Sequence, residues 1–491
     1  MENVAFIARK KITMDKFSTQ VKVTANSQIK KILKVISKSN ISSCDFVNDL
    51  VSIGGKVKTT VVYVNKDNEI ESAEMQTDYI EKQQSSFKVD DVFASDTLEV
   101  KNVNYSGVDV ICVLEHSVVI NGNYSYEIPE LDETDKNLVI KKSKFEALKY
   151  ISSCEDNFVV AEECETNLND INVICTDAKV ILNEVITLVD KISIEGKIYT
   201  NLFYSDEQGL SSYAKDFEFK QEIASSGVVP SMISNVLARV NEVTVTMEET
   251  DGKSNLVYSI SLFAKGMTYE EAEFNTIDDI FSLKNYLQTK YDFISAKNYI
   301  ETKNYADNFL STTDISQIEN FDDILGVYFP KCTIISVDNE EEKSVLSANI
   351  SSLAIYKSGE EFNELKLDLP VKIEISKEKQ TYIGDVVIVP EISSFKVKAG
   401  KNLEVVYHLN YDVTFEKIVS EKYLKSFEVK GEKNDNSSGI KIYVTRQGEN
   451  LFDVAKSLNM RPEIIEKQNS EINCFEQGEK IYVYSPINLY N

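Results

Sequence analysis

The feature that most constrains the fold of this chain is an internal repeat with a period of 141 residues. Residues 52–63 match residues 193–204 without gaps at six of twelve positions. A third, more diverged copy ends at residues 349–359, and its spacing from the second copy is 152 residues. Solenoid units usually run about 20 to 50 residues. The longer period therefore predicts three separate domains in tandem.

Strand-like alternation of apolar and polar residues dominates residues 1–430 and predicts half-buried β-strands. In the second copy, the runs 240–246 and 255–262 flank a turn-like segment and predict a β-hairpin. The corresponding runs of the third copy are 392–397 and 403–409. A short stretch at residues 276–281 has helical character, but few helices are expected.

The predicted fold class is mainly β, with three tandem β-rich domains followed by a small domain of strand–helix–helix–strand order (βααβ). The linker in this division lacks any apolar side chain. The predicted boundaries are 1–145, 146–290 and 291–430 for the three β domains, 431–439 for the linker and 440–491 for the last domain. The apolar positions shared by the first two copies should form their cores. They are Ile53, Val57, Val62, Ile194, Ile198 and Phe203.

The charge balance argues against nucleic acid and anionic lipid as partners. Lys and Arg total 53 against 79 Asp and Glu, which gives a formal net charge of −26. Such a charge repels phosphates and lipid headgroups, and it also keeps a protein soluble. The N-terminus lacks the pattern of a secretory signal, and no uncharged apolar run approaches the ~20 residues that span a bilayer. We therefore expect a cytoplasmic protein without direct membrane insertion.

Cysteine and histidine usage predicts neither a metal site nor catalysis. The seven cysteines include no Cys-x-x-Cys pair, and the spacings among Cys154, Cys164 and Cys175 fit no common zinc pattern. The two histidines, His116 and His408, lie in alternating runs, and no phosphate loop or nucleophile elbow is present. Free thiols in a reducing compartment, no cofactor and no catalytic residues are expected.

The pattern changes after residue 440. Residues 442–444 predict a short strand, and Gly448-Glu449-Asn450 predicts a turn that starts a helix. Pro462 suits the first residue of a second helix, and residues 480–484 predict a closing strand. This gives the βααβ order of the last domain.

The βααβ segment resembles a LysM domain. The residues that carry the resemblance are Val444, Gly448, Leu451, Phe452, Ala455, Ile465, Asn469, Gly478, Ile481 and Pro486. The resemblance implies binding of N-acetylglucosamine glycans through two turns, here 448–452 and 469–472. Glu449-Asn450 replaces the usual Asp-Thr, and Ser470 replaces a frequent Pro. The alternative is that these turn residues only cap helices.

The three upstream copies resemble the SPOCS domain. Three such domains followed by LysM resemble the family of SipL-like spore coat assembly proteins of sporulating clostridia. That resemblance implies a non-enzymatic scaffold in the mother cell, at the forespore surface and spore coat. It also implies that the LysM domain contacts the coat morphogenetic ATPase SpoIVA, and that the chain works with other coat proteins.

A protein partner of the module should meet arginine and aromatic side chains, which dominate interface hot spots. The candidate binding residues in the turns and on the surface are Arg446, Gly448, Glu449, Asn450, Phe452, Arg461, Lys467, Asn469, Phe475 and Tyr482. Among them, Phe452 and Tyr482 are expected to be buried.

Two other functions compete with the scaffold. A cell-wall protein or hydrolase that uses LysM for peptidoglycan would need an export signal and a catalytic domain, and neither is recognisable. A carbohydrate-active β-sandwich enzyme would use aromatic sugar platforms, yet the chain has no Trp. Peptidoglycan or N-acetylglucosamine binding is therefore the second hypothesis.

Replacing Ile194 with Asp should unfold the second domain. Ile194 occupies the position that Ile53 holds in the first copy, and an unpaired charge in an apolar core costs several kcal/mol. Thermal unfolding followed by circular dichroism checks this, and an unchanged melting curve would contradict the core position.

Overall fold

The computed structural model describes residues 2–130, 135–168, 171–206, 209–250, 253–318, 323–398, 401–433, 439–469 and 477–485. Strands dominate these ranges, which confirms the mainly β prediction, and the same ranges contain two short helices. Neither of these helices is long and apolar enough to cross a membrane.

The first part of the chain forms two sheets packed face to face. Its strands are β1 (Glu2–Thr13), β2 (Phe17–Thr24), β3 (Ile29–Val47), β4 (Leu50–Asn65), β5 (Ile70–Gln84), β6 (Asp90–Ser106) and β7 (Asp109–Glu130). In one sheet β7 pairs with β6 on one edge and with β1 and β2 on the other, and the second sheet has the order β3-β4-β5. Both sheets contribute to one core that includes Val21, Leu114, Ile53 and Val61.

The next two parts repeat this arrangement. The second has β8 (Leu138–Thr166), β9 (Asn172–Leu188), β10 (Lys191–Asp206), β11 (Gly209–Ala224), β12 (Ile233–Thr250) and β13 (Lys253–Ser282). The third has β14 (Asn285–Asp314), β15 (Asp323–Asn339), β16 (Lys343–Ser358), β17 (Glu361–Ser376), β18 (Thr381–Lys398) and β19 (Asn402–Glu432). In each, a sheet of three consecutive strands packs on a sheet formed by the other three. The described residues thus form three equivalent β-sandwiches.

The sequence repeat and the strands coincide. The strands β4, β10 and β16 begin 141 and then 152 residues apart and have the same length of 16 residues. The six positions predicted to be core are all buried, with at most 3% of each residue exposed. The predicted hairpins correspond to β12–β13 and β18–β19. The expected helical stretch at 276–281 is wrong, because these residues pair along β8 within β13.

Close packing explains a glycine shared by two copies. A Cβ atom on Gly55 would lie 2.6 Å from the Asn40 oxygen and 2.8 Å from the Tyr79 ring. A Cβ atom on Gly196, the counterpart of Gly55, would lie 2.6 Å from the Ile181 oxygen and 2.8 Å from the Phe219 ring. In both sandwiches an aromatic ring therefore lies where a side chain on β4 or β10 would have to fit.

The three sandwiches meet in two shared apolar clusters. The first cluster joins Val62, Phe203 and Ile355, which occupy the same position in β4, β10 and β16. The second joins the first strands of the three sandwiches. Its members from β1, β8 and β14 are Phe6, Ala8, Phe145, Ala147, Ile294 and Ala296. Equivalent positions come together in threes, so the sandwiches are arranged with approximate threefold symmetry.

Lysines at equivalent positions connect one sandwich to another. Lys38, Lys179 and Lys331 follow the same spacings of 141 and 152 residues. Their ammonium groups donate to backbone carbonyl oxygens of other sandwiches at 2.8, 2.9 and 3.1 Å, namely those of Thr176, Ile388 and Leu98. Arg239 adds a further connection, because its guanidinium donates to Ile41 O and Ala94 O in the first sandwich.

A buried ion pair joins the first and third sandwiches. Arg9 in β1 lies 2.8 Å from the Asp385 carboxylate and 3.2 Å from that of Glu416, while Lys11 contacts Asp385 at 2.8 Å. Burial would raise the pKa of the Asp385 carboxyl, but the charges of Arg9 and Lys11 hold it below its usual value. Such a pair fixes which surfaces meet, because either partner alone would be a buried unpaired charge.

The sheets divide the chain at places other than the predicted boundaries. The ends at residues 145 and 290 lie inside β8 and β14, because these strands pair with β13 and β19 from residues 138 and 285 onward. Gly431 and Glu432 of the predicted linker belong to β19, and residues 434–438 lie outside the described residues. Independent folding of each sandwich stays a prediction.

The C-terminal elements are β20 (Gly439–Val444), α1 (Leu451–Leu458), α2 (Pro462–Gln468) and β21 (Lys480–Ser485). They form the C-terminal module, in which β20 and β21 pair antiparallel. Its core contains Val454, Ala455, Leu458, Ile465, Ile481 and Val483.

Substitution Asp412→Asn should make the stability of the protein less dependent on pH. Burial raises the pKa of Asp412 to about 7, although hydrogen bonds from the Asn304 amide and the Leu182 backbone favour the charged form. The folded state therefore holds a proton that the unfolded chain releases near pH 4, and stability falls by roughly 1.4 kcal/mol per pH unit between these values.

We expect the gain in melting temperature of Asp412→Asn over the native chain to increase from pH 5 to pH 7 and to level off above. Calorimetry across this range measures it. Asp368→Asn is the matched control, because that exposed carboxylate also accepts an asparagine amide, from Asn349 at 3.0 Å. Equal pH slopes for both variants would contradict the assignment.

Candidate functional site

The first turn of the C-terminal module is held by its own polar side chains. Gly448 has a positive φ of 81°, which favours glycine. The Glu449 carboxylate accepts hydrogen bonds from Tyr443 OH and Arg446 N, both at 2.7 Å. Partial burial would raise the pKa of Glu449, yet these hydrogen bonds keep it below its ordinary value. Glu449 thus stabilises the turn.

Asn450 caps α1. Its side-chain oxygen accepts hydrogen bonds from Phe452 N and Asp453 N at 2.9 and 3.2 Å, and Asn450 N donates to the Asp453 carboxylate at 3.0 Å. This reciprocal pattern is a capping box, which satisfies backbone donors at the start of a helix. The capping interpretation of Asn450 is confirmed.

Two amide side chains at the end of α2 complete the edge of β21. Asn469 donates to Tyr482 O at 2.8 Å and accepts from Tyr482 N at 2.9 Å. Gln468 bonds in the same way to Tyr484, at 3.1 and 2.8 Å. Together these bonds imitate the ladder of an additional strand. Asn469 is 9% exposed and joins helix to sheet.

The module packs against the second sandwich. Phe452 and Phe281 meet edge to face with ring centroids 5.2 Å apart. The Lys456 ammonium lies 2.8 and 2.6 Å from the two carboxylate oxygens of Asp279. Burial would raise the pKa of Asp279, but hydrogen bonds from Lys456 and Tyr291 lower it below its ordinary value. Because Tyr291 belongs to β14, Asp279 joins both neighbouring sandwiches to the module.

Further hydrogen bonds extend this contact. Asn459 Nδ2 donates to Leu283 O at 2.8 Å. Lys433 donates to Ser282 O at 2.6 Å and to Asn459 Oδ1 at 2.7 Å. The Arg461 guanidinium donates to Lys136 O. These contacts place the module in a defined position on the second sandwich.

The candidate binding residues fall into three groups: those that are buried or bonded within the chain, those that are exposed, and those outside the described residues. Phe452 is buried as expected, and Glu449, Asn450, Arg461 and Asn469 make bonds within the chain. Arg446, Gly448 and Lys467 are exposed. The expected burial of Tyr482 is wrong, because 51% of the residue is exposed on the outer face of β21. Phe475 and residues 470–472 lie outside the described residues.

The outer face of the β20–β21 sheet is apolar. The register pairs Ile440 with Tyr484 and Ile442 with Tyr482, and Val444 lies opposite Lys480. The five apolar residues are 51–73% exposed. The sequence did not reveal this face, because apolar residues occur at successive positions of both strands and therefore on both sides of the sheet. Contiguous exposed apolar surface of this kind is typical of interaction sites in soluble proteins.

A buried hydrogen-bond chain surrounds His116. Its ring nitrogens lie 2.7 Å from the Asp96 carboxylate and 2.8 Å from Thr19 Oγ1, and Phe17 stacks on the ring at 4.3 Å. The side chains of His116 and Asp96 have no exposed surface. Tyr79 OH, from the opposite sheet, donates to Asp96 at 3.3 Å. These groups connect the two sheets of the first sandwich.

The six cysteines among the described residues are free thiols, and those with strongly raised pKa values have the character of packing residues. Burial raises the pKa of Cys44 to about 12 and those of Cys112 and Cys332 to about 11. A thiol with a raised pKa forms little of the reactive thiolate. Within the described ranges, no group of three or more His, Cys, Asp or Glu side chains is placed to hold a metal ion.

Comparison with known families identifies one segment. Residues 170–248 match the family model described as SipL, SPOCS domain. The match spans β9, β10, β11 and nearly all of β12 in the second sandwich. No curated protein matches the chain. No solved structure matches it either.

Reversing the charge at Asp279 should loosen the module. Asp279→Lys places two ammonium groups together, so we expect faster hydrogen exchange in residues 451–468. The double variant Asp279→Lys with Lys456→Asp should restore part of the protection, with a coupling energy of about 1 kcal/mol for a partly exposed pair.

Because the pKa of Asp279 is lowered in the folded state, this contribution is present above about pH 4 and is lost as the pH falls further. Lys372→Glu, at an exposed position in the third sandwich, is the control. Unchanged exchange in Asp279→Lys would mean that the ion pair does not hold the module.

Proposed function

We propose that the chain is a non-enzymatic scaffold for spore coat assembly that acts at the forespore surface in the mother-cell cytoplasm. Its C-terminal module is a LysM-type domain that holds a coat morphogenetic ATPase of the SpoIVA type. The observation that carries the proposal is the SPOCS match at residues 170–248. The matched segment lies in one of three equivalent sandwiches.

The equivalence of the sandwiches supports extending the SPOCS assignment beyond the matched segment. The strands β3 to β6 and β15 to β18 follow the same order and pairing as β9 to β12. The equal lengths and offsets of β4, β10 and β16 favour the same conclusion. Three SPOCS-like domains before a βααβ module are the arrangement that the family resemblance implies.

A protein partner suits the module better than a glycan. Glycan binding needs free polar groups in the two turns, yet Glu449 and Asn450 bond within the first turn and Asn469 bonds to β21. The outer sheet face instead offers Ile440, Ile442 and exposed aromatic rings. Aromatic and apolar side chains of this kind form the cores of protein interfaces.

The alternative is that the module binds peptidoglycan or another N-acetylglucosamine glycan. The specific observation in its favour is the pair of tyrosines, Tyr482 and Tyr484, which are 51% and 55% exposed on one face of β21. Aromatic rings at such positions can stack on sugar rings. A direct comparison of ligands distinguishes the two functions.

Capture experiments with the purified full chain test the proposal. The chain should retain a SpoIVA-like coat ATPase and should not retain chitin oligomers. Lys467→Glu should weaken capture, because it reverses an exposed charge on α2 at the expected contact surface without removing packing volume. Arg461→Glu is a less clean test, since Arg461 bonds to Lys136 O.

Lys372→Glu makes the same charge change at an exposed position of β17 in the third sandwich and should capture the ATPase normally. Fluorescent tagging during sporulation should give a ring around the forespore. Retention of chitin oligomers at micromolar affinity without retention of the ATPase would replace the scaffold with the glycan-binding alternative. A diffuse signal in sporulating cells would also contradict it.

A further inference from the structure

The two edges of the β20–β21 sheet differ. Thr445 N donates to Glu479 O at 3.0 Å, so the backbone groups of Thr445 point toward β21. In a strand, the N–H and C=O groups of one residue point to the same side, and those of the next residue point to the other side. The backbone groups of Tyr443 and Lys441 therefore also face β21, while those of Val444, Ile442 and Ile440 face away from it.

The outer edge of β21 is already occupied. By the same alternation, Tyr482 and Tyr484 direct their backbone groups away from β20, and the amides of Asn469 and Gln468 satisfy all four groups. In the part of the chain that the structure describes, no side chain or strand covers the outer edge of β20 in this way. Among the described residues, β20 pairs with β21 alone.

The uncovered edge adjoins the apolar face. Ile440, Ile442 and Val444 carry the outward-facing backbone groups, and their side chains are 73%, 60% and 51% exposed. An exposed strand edge is a template for another strand, and an adjacent apolar face rewards apolar residues at alternate positions of that strand. Both features of β-strand addition thus coincide on β20.

We propose that the outer edge of β20 binds an extended segment of a different protein as a third strand of the sheet. The segment carries apolar side chains at every second position, on the side of Ile440, Ile442 and Val444. Its remaining residues are neutral or basic. The inference deepens the proposed function, on which it rests for the identity of the partner.

Charge argues for a different protein and against a second copy. The chain carries a net charge of −26, so two copies repel each other. The outer face of the module presents Lys480 and five apolar residues, and no acidic side chain belongs to this face. A neutral segment therefore approaches the edge without repulsion, and a segment whose basic residues lie away from Lys480 is also attracted by the net negative charge of the chain.

Proline at position 442 tests the edge. Ile442 N–H faces away from β21, so Ile442→Pro removes a donor that the module does not use, and edge strands tolerate proline at such positions. Ile442→Ala keeps the donor and shortens the side chain, which separates the loss of the hydrogen bond from the loss of apolar contact. Tyr443→Pro should destabilise the module, because that N–H bonds to β21.

We expect Ile442→Pro to weaken capture of the coat ATPase about tenfold or more, beyond the effect of Ile442→Ala, while the melting temperature changes little. Hydrogen exchange gives a second readout. The amides of residues 440, 442 and 444 should exchange rapidly in the free chain and slowly in the complex. The amides of 441 and 443 should be protected in both.

Each outcome decides the proposal. Normal capture by Ile442→Pro would show that the partner does not bind at the edge of β20. Rapid exchange of the amides of residues 440, 442 and 444 in the complex would show the same. Either result would leave the proposed function standing. A native chain that dimerises through residue 442 in sedimentation experiments would replace the foreign strand with a second copy.

If the native chain captures no ATPase, the proposed function fails, and an array of eight-residue peptides with alternating apolar residues tests the edge by itself. Binding that Ile442→Pro abolishes supports the edge. No binding to any peptide overturns it.

Discussion

The structure depends on the burial of apolar residues where three sandwiches meet. Val62, Phe203 and Ile355 lie in one cluster. A second cluster joins residues of β1, β8 and β14, the first strands of the three sandwiches. A fully buried large apolar side chain contributes about 1.5 to 3 kcal/mol. Two clusters of this kind hold the copies together, and the lysine bridges and the Arg9 ion pair then set their orientation. These shared clusters add to the stability that each sandwich derives from its own core.

The sequence predicted the elements better than their assembly. Alternation identified the strands and the shared core positions such as Ile53 and Ile194, because burying one face of a strand requires period two. It could not predict the ion pair between Arg9 and Asp385, since no local pattern connects residues so far apart in the chain. The six identities among twelve aligned positions indicated equivalent folds but did not show how these folds pack on one another.

The same limits apply to the candidate site. Element order and the cap at Asn450 followed from local rules of helix formation. The burial expected for Tyr482 was wrong. Apolar residues occupy both faces of β20 and β21, so the sequence pattern does not show which face is buried, and Tyr482 lies on the exposed one. The docking of Phe452 on Phe281 was missed, as it depends on a surface of another sandwich. Asn469 matched a binding position in sequence but serves the edge of β21.

The threefold junction also has a consequence for assembly stoichiometry. A trimer of separate chains would dissociate on dilution, whereas three sandwiches in one polypeptide stay at a fixed, high effective concentration. The copies are encoded separately, so each can change alone, as the third does by carrying Ala348 where the others have Gly55 and Gly196. Only one module is present among three sandwiches within the described chain. Each chain therefore supplies three sandwiches for every C-terminal module. Because both are parts of one polypeptide, the expression level cannot alter this ratio of three to one.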